Sequence, residues 1–474
     1  MRSRVRHAAV LLAVSVAALA LCPGLAGAAS SVPTTTESAP PRPKLHTCDL
    51  GMPRPFRCAH IMVPKLRSDP ALGQTKVAFA VRHRRDTSRP SLGTIFAMDG
   101  GPGYASTAKP YAASLIAALG PILRRRDLVL YDMRGTGLSD PIDCPALQGG
   151  LIQEPIAIGE CANQLGPAYA GYTSGEAAED MNQLRRALGL GKIFFYGDSY
   201  GTFFGQAYAV RHPGTLRGLI LDSAYPGNDP YYRTLLPAGR DGLRITCRKA
   251  PTCGGDPVKR LARVVHAFHQ AGRSTEPLIE FLLEAGTLAP RSYLSLDEAD
   301  RRFLAGDPRR LNRLLAPGPA GEKLSEYSNG LAIAVECNDY KTLWDKSAPF
   351  SRRIAELSAA IHGLPRGNFA PFGRKEYLLS SAARLTPCLY WPAPPSGGLP
   401  PAIPSDWHAP STFPTLITAG QVDDVTSVRE AQQVQARFPG SRLYVVPDRG
   451  HVSSLYFPFR SPAVGVIRHF ISSN

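Results

Sequence analysis

The sequence predicts an α/β fold, a mostly parallel β-sheet with helices on both faces, interrupted by a helical insertion. Three observations carry this expectation. Up to Pro226, short β-branched and aromatic runs alternate with helical patterns. From about residue 230 to about 390 the pattern is mainly helical and holds no buried-strand run. After a Pro/Gly-rich stretch from Trp391 to Pro404, strand signals resume.

Strands are expected at Ile61–Lys65, Val77–His83, Thr94–Met98, Asp127–Asp132, Lys192–Tyr196 and Leu216–Leu221. Helical stretches lie between them near Ala105–Leu119, Ser174–Leu188 and Tyr200–His212. Within the insertion, helices are expected at Val258–Ala271, Glu276–Ala285, Lys323–Cys337 and Ser351–His362. Two more strands, Pro414–Thr418 and Ser441–Val446, precede a last helix near Ala463–Ser472. The expected organisation is therefore a core over 45–229 and 405–474, with a helical cap over 230–404. Two independent domains are the alternative, but they would leave the last two strands without a sheet, and isolated strand pairs are marginal.

The first residues read as an export signal. Arg2, Arg4 and Arg6 precede an apolar run from Ala8 to Leu21, and Ala26-Gly27-Ala28 offers a small-residue cleavage site. The run is shorter than the ~18 apolar residues that a membrane span requires, and no other segment approaches that length. Leu21 is bulky where lipid attachment favours a small residue, so no anchor is expected at Cys22. A signal peptide over 1–28 and a flexible Ser/Thr/Pro-rich leader over 29–44 are the expectation, and with them secretion.

Loss of Cys22 leaves eight of nine cysteines, an even number that favours disulfides in an exported protein. Connectivity is not fixed by sequence. Local spacing suggests Cys48–Cys58, Cys144–Cys161 and Cys247–Cys253, which leaves Cys337–Cys388. Cysteine and histidine do not cluster at metal-ligand spacing, so neither a metal nor a cofactor is expected. The pI is near 9.6, yet Lys and Arg are scattered and no nucleic-acid-binding signature occurs. Basic charge on a secreted surface fits solubility or attraction to anionic envelopes. No nucleic-acid or integral-membrane partner is expected, and the chain is expected to act as a monomer.

Chemistry concentrates in four segments. Gly197-Asp198-Ser199-Tyr200-Gly201 lies between an expected strand and an expected helix. There a serine occupies a sharp turn that exposes its hydroxyl, and glycines on either side let strand and helix approach. A serine hydroxyl needs a base, and around such an elbow the acid and then the histidine follow in chain order. Among ten histidines beyond the signal peptide, His451 alone sits in a loop just after a late strand and after every acid candidate. Asp423 is the preferred acid, with Asp424 as alternative; Asp448 is read as shaping the loop before His451. Thr426 could hold the acid's rotamer or cap a helix. Asp99-Gly100-Gly101-Pro102-Gly103 follows the strand Thr94–Met98 and can bring a backbone N–H to an oxyanion. Pro102 has no N–H, so Gly101 and Tyr200 are the expected donors. The loop lacks both the Lys-Ser/Thr ending of a phosphate-binding loop and the spacing of a dinucleotide fingerprint.

Together these segments resemble the prolyl aminopeptidase and tripeptidyl aminopeptidase group of the α/β-hydrolases. Gly100-Gly101-Pro102-Gly103 matches that group's oxyanion loop, with Asp99 where many members have histidine. Asp132-Met133-Arg134-Gly135-Thr136-Gly137-Leu138-Ser139 matches a structural turn beside the site. Gly197 to Thr202 and Gly420 to Thr426 are similar to its nucleophile and acid regions, although Asp424 and Ser427 stand where relatives often have proline. Cys337-Asn338-Asp339 and Cys388-Leu389-Tyr390-Trp391-Pro392 are similar to cysteine segments of the secreted tripeptidyl branch. The resemblance implies an α/β-hydrolase fold and a serine exopeptidase acting on peptides with a free N-terminus. It also implies a carboxylate for the substrate ammonium, with Glu336 and Asp339 as candidates because they flank Cys337. The rival readings are a secreted esterase or lipase with the same triad and a non-catalytic binding protein on this fold.

Overall fold

The computed structural model describes residues 41–474 apart from 53–54, 151–153, 228–230, 318–321, 384–385, 396–399, 457–458 and 460, and apart from the side chains of 231–233 and 382. The expected signal peptide and most of the expected leader lie outside the described residues.

Among the described residues nine strands form one sheet: β1 (His46–Cys48), β2 (Phe56–Pro64), β3 (Gln74–Arg82), β4 (Thr94–Met98), β5 (Asp127–Tyr131), β6 (Ile193–Asp198), β7 (Leu216–Asp222), β8 (Thr415–Gly420) and β9 (Arg442–Val446). Their spatial order is β1-β2-β3-β5-β4-β6-β7-β8-β9. The pairings from β1 to β5 are antiparallel, and every pairing from β5 through β4 to β9 is parallel. Every residue of β4 and β6 is buried, as in parallel strands covered on both faces. Side chains alternate: Phe194 and Tyr196 pack with the terminal helix Pro462–Ser473, while Ile193 and Phe195 pack with the helices Ser174–Ala187 and Tyr200–Arg211.

Among the described residues no strand lies between β7 and β8; the chain there is helical and has its own apolar core. The helix Pro257–Gln270 illustrates the cause. Asp256 caps it by accepting from the Val258 and Lys259 N–H groups, and Val258, Leu261, Val264, Val265 and Phe268 form one buried stripe. Leu282, Tyr293 and Leu296 from the next helices close over that stripe. Among the described residues four disulfides join Cys48 to Cys58, Cys144 to Cys161, Cys247 to Cys253 and Cys337 to Cys388, the set that spacing suggests. Among the described residues no helix is long and apolar enough to cross a membrane.

Two departures from the expected elements bear on function. β2 starts at Phe56 rather than Ile61, and β1 is an additional edge strand tied to it through Cys48–Cys58. The helix expected over Lys323–Cys337 begins only at Asn329 and runs to Asp339. Residues 326–328 are instead drawn against the glycine-rich loop. Ala105 N–H donates to the Glu326 carbonyl at 2.9 Å, Ser328 N–H donates to the Gly103 carbonyl at 3.0 Å, and Tyr104 and Tyr327 form a β-bridge. Ser328 then caps the helix by accepting from Leu331 N–H at 3.1 Å.

Candidate functional site

The site assembles at the carboxyl ends of the parallel strands. β6 ends at Asp198, and Ser199 follows with φ 50° and ψ −122° before the helix Tyr200–Arg211 begins. That backbone is held by Ser199 N–H donating to the Asp222 carbonyl at 3.0 Å and by Thr202 N–H donating to the Ser199 carbonyl at 2.9 Å. A Cβ at Gly197 would stand 2.2 Å from the Gly201 carbonyl oxygen, so the turn closes only with glycine there. Tyr200 opens its helix, and its N–H is among the first-turn donors that have no acceptor within the helix. The glycine-rich loop lies directly on the serine: a Cβ at Gly100 would meet Ser199 Cβ at 2.7 Å. Gly101 follows directly in that loop, with φ 111° and Tyr327 against it.

Asp423 and His451 come together from the loops after β8 and β9. His451 Nδ1 is 3.0 Å from Asp423 Oδ2. Asp423 Oδ1 accepts from Val425 N–H and Thr426 N–H, both at 2.9 Å, and Thr426 Oγ1 donates to Asp423 Oδ2 at 3.0 Å. Thr426 Oγ1 is also 3.1 Å from His451 Nδ1. Thr426 thus holds the acid's rotamer, and Ser427 is the helix cap, paired with Glu430. The histidine loop is fixed to the end of β7: Val452 N–H donates to Ser223 Oγ at 2.8 Å, and Ser454 Oγ donates to Asp222. The serine turn and the histidine loop therefore hang on the same residue pair, Asp222 and Ser223.

The other candidates fall elsewhere. Asp424 points away from His451, accepting from Gly286 N–H at 2.7 Å and from Tyr293 OH at 2.8 Å. Asp448 accepts from Lys249 and takes Gln421 Oε1 on its backbone N–H, a loop-shaping role. Asp132 carries the structural turn: it accepts from Thr107 N–H at 2.9 Å, Thr107 Oγ1 at 2.6 Å and Leu138 N–H at 2.9 Å. Burial pushes its carboxyl up to about 6. Asp339 accepts from Ser174 N–H at 2.7 Å and Ser174 Oγ at 2.6 Å, and Ser174 Oγ is 2.7 Å from Tyr200 OH. Its carboxylate thus braces the Tyr200 side chain from behind. Glu336 is buried one turn earlier on the same helix.

Neither Glu336 nor Asp339 lines the cavity between the glycine-rich loop and the loop after His451. That cavity, ≈ 560 Å³, is bordered by Asp99, Asp198, Glu322, Glu326, Tyr104 and Val452 among others. The helix expected over Lys323–Cys337 would carry Glu326 on a helix face, whereas the pairing of 326–328 with Gly103–Ala105 sets it against the glycine-rich loop. Tyr104 OH donates to Glu322 Oε1 at 3.0 Å, and Lys323 stands 3.9 Å from Glu326. One group of candidate metal ligands, Cys247, Cys253 and Asp297, occurs among the described residues, and its two sulfurs are joined as a disulfide.

Asp99 and Asp198 share a buried hydrogen-bonded position, with Tyr111 OH donating to Asp198 Oδ1 at 3.1 Å. Burial pushes Asp99 up to about 6, and burial followed by the facing Asp99 carboxylate pushes Asp198 well above the usual range. Unfolded aspartates titrate near ~4, so between that value and about 6 the folded chain keeps protons that the unfolded chain has lost. Stability therefore falls as pH rises through this window and stays lower above it. Asp198→Asn retains an acceptor for Tyr111 and removes the repulsion. It is expected to stabilise the fold at pH 8 by on the order of 1–2 kcal/mol, with little effect at pH 3, where the aspartates are protonated in both states. Calorimetric melting at the two pH values checks this; equal shifts at both would contradict it.

A mostly parallel sheet, a serine on the turn after its fifth strand in chain order from β2, and acid and histidine loops after the last two strands define the α/β-hydrolase fold. The chain has that fold. The family model described as "alpha/beta hydrolase fold" matches residues 95–255, from β4 past the serine turn and into the insertion. The tripeptidyl aminopeptidase of Streptomyces coelicolor is 24% identical over 451 residues, covering 85% of this chain and 78% of that protein. Serine protease Hip1 of Mycobacterium tuberculosis is 25% identical over 416 residues, 74% of each chain. Among solved structures, proline iminopeptidase of Mycobacterium smegmatis aligns over 87% of this chain and 98% of its own at 15% identity, with a TM-score of 0.40. The similarity to the tripeptidyl aminopeptidase thus extends beyond the short motifs, over 85% of this chain.

Proposed function

We propose that this chain is a secreted serine hydrolase, an aminopeptidase that releases short peptides or single residues from free N-termini through an acyl-enzyme on Ser199. The observation that carries the reading is the pairing of His451 with Asp423 at 3.0 Å in loops anchored to the strand end that also holds the serine turn. In this reading Ser199 Oγ attacks the scissile carbonyl carbon while His451 Nε2 takes the hydroxyl proton. The Gly101 and Tyr200 N–H groups receive the oxyanion. The tetrahedral intermediate collapses, the C–N bond breaks, and His451 passes its proton to the leaving amine. Water, deprotonated by His451, then cleaves the ester and returns the serine. Asp423 holds the imidazole in the tautomer that presents Nε2 to the serine. The peptidase names of the two relatives support a peptide substrate, and four disulfides support an oxidising compartment.

Glu322 and Glu326 border the ≈ 560 Å³ cavity together with Asp99 of the glycine-rich loop and Val452 of the histidine loop, and they replace Glu336 and Asp339 as the proposed receivers of the substrate ammonium. The test is a matched panel of free-amine and N-blocked mono-, di- and tripeptide amides with short acyl esters. Peptide amides are expected to be cleaved only with a free amine. The doubly substituted Glu322→Gln, Glu326→Gln protein is expected to show a KM for free-amine peptides raised about threefold to tenfold, as partly exposed ion pairs allow, with ester turnover unchanged. Ester cleavage with every peptide untouched would make the chain an esterase.

A further inference from the structure

The acid loop carries a second buried carboxylate that the proposed reaction does not use. Asp424 is fully buried, and both its oxygens are bound by the helical insertion: Oδ1 by Gly286 N–H at 2.7 Å and Oδ2 by Tyr293 OH at 2.8 Å. The other side of the Gly286 residue reaches the histidine loop, because its carbonyl accepts from His451 N–H at 2.9 Å. One residue of the turn Ala285–Leu288 therefore grips the acid loop through its N–H and the histidine through its C=O. The loops are also joined to each other, with Val422 N–H donating to the Arg449 carbonyl at 3.0 Å. Val422 itself packs inside the apolar core of the insertion.

The contact leaves no slack. A Cβ on Gly286 would stand 2.0 Å from Asp424 Oδ1, and a Cβ on Gly450 would stand 1.6 Å from the Gly286 carbonyl oxygen. Both positions need glycine for the backbones to approach this closely. Burial drives the Asp424 carboxyl well above the usual range, so an amide of the same shape is a close substitute for it.

We propose that Asp424 is a positioning residue that clamps the turn Ala285–Leu288 between the loops carrying Asp423 and His451, so that the seating of the insertion sets the alignment of that pair. The inference rests on the reading of Asp423 and His451 as partners of Ser199. It assigns to Asp424 a role distinct from the acid itself, at a position where the resembling group often has proline. Its consequence is that the imidazole is ordered only while the insertion is seated.

Two readouts separate this role from simple stabilisation. One is the rate at which an alkyl fluorophosphonate modifies Ser199, and the other is the downfield proton resonance of the His451 Nδ1–H. Asp424→Ala is expected to slow modification about tenfold or more and to broaden the resonance, since small misplacements of a catalytic group carry rate losses of this order. Asp424→Asn, which can still accept from Gly286 and donate to Tyr293 O, is expected to keep both within about twofold of the parent. If Asp424→Ala does not fold, Tyr293→Phe carries the test: loss of one of the two bonds is expected to slow modification a few-fold and to broaden the resonance in part. Alanine or phenylalanine variants that lower the melting temperature but keep the parent rate and a sharp resonance would overturn the proposal. An unreactive parent whose resonance still responds to Asp424→Ala would defeat the hydrolase reading and uphold the clamp. A reactive parent whose resonance and rate ignore every variant would do the reverse.

Discussion

Ser199→Ala is expected to lower kcat/KM by about 10³- to 10⁶-fold on any substrate the protein turns over, with the melting temperature nearly unchanged. The size follows from what is removed. Only the hydroxyl oxygen is lost, and with it the atom that would attack and form the acyl-enzyme. The contacts that hold the turn belong to the backbone: Ser199 N–H donates to Asp222 and the Ser199 carbonyl accepts from Thr202. Alanine meets the same positive φ that serine already occupies, 50°, so no new strain is introduced. Steady-state kinetics on esters and peptide amides, paired with calorimetry, checks both halves. A loss below about tenfold with the fold intact would mean that another group carries the chemistry.

Asp423→Asn is expected to lower kcat by about 10³- to 10⁴-fold with a much smaller change in KM. Asp423 accepts four contacts, from the Val425 and Thr426 N–H groups, Thr426 Oγ1 and His451 Nδ1. An asparagine can keep its oxygen toward the two backbone donors, but its NH₂ then faces His451 Nδ1 and favours the tautomer with the proton on Nε2. In that tautomer the imidazole cannot take the serine proton. The neighbouring Asp424→Asn serves as the contrast, because its two bonds run to Gly286 and Tyr293 instead of the histidine. Kinetics of the two variants side by side checks this. Equal losses in both, or a larger loss at Asp424, would contradict the assignment of Asp423 as the acid.

What is legible in the sequence depends on how local its cause is. The serine turn is legible because the strand Ile193–Asp198, the glycines at 197 and 201 and the following helix are contiguous. The late positions of Asp423 and His451 are legible because chain order in this fold places them after the serine. The choice between Asp423 and Asp424 is less so. Both lie in one turn, and what turns Asp424 away from His451 into the insertion is Gly286, 138 residues earlier. The break before the helix Asn329–Asp339 is invisible to helical periodicity, since it comes from pairing of Glu326–Ser328 with Gly103–Ala105. The same break brings Glu322 and Glu326 to the cavity, whereas proximity to Cys337 in sequence points to Glu336 and Asp339. The disulfide spacing is informative for the three short loops because few residues separate each pair. Its remaining pair, separated by 51 residues, follows by exclusion.

The claim that Ser199 is an activated nucleophile is tested most directly by treating the folded protein with an alkyl fluorophosphonate and mapping the adduct by mass spectrometry. Serine Oγ displaces fluoride from phosphorus only where a neighbouring base takes its proton. The expected result is a single phosphonyl group on the peptide holding Gly197-Asp198-Ser199-Tyr200-Gly201, absent from Ser199→Ala and formed far more slowly in Asp423→Asn. A protein that takes up no phosphonyl group, or takes it up equally after Ser199→Ala, would contradict the assignment.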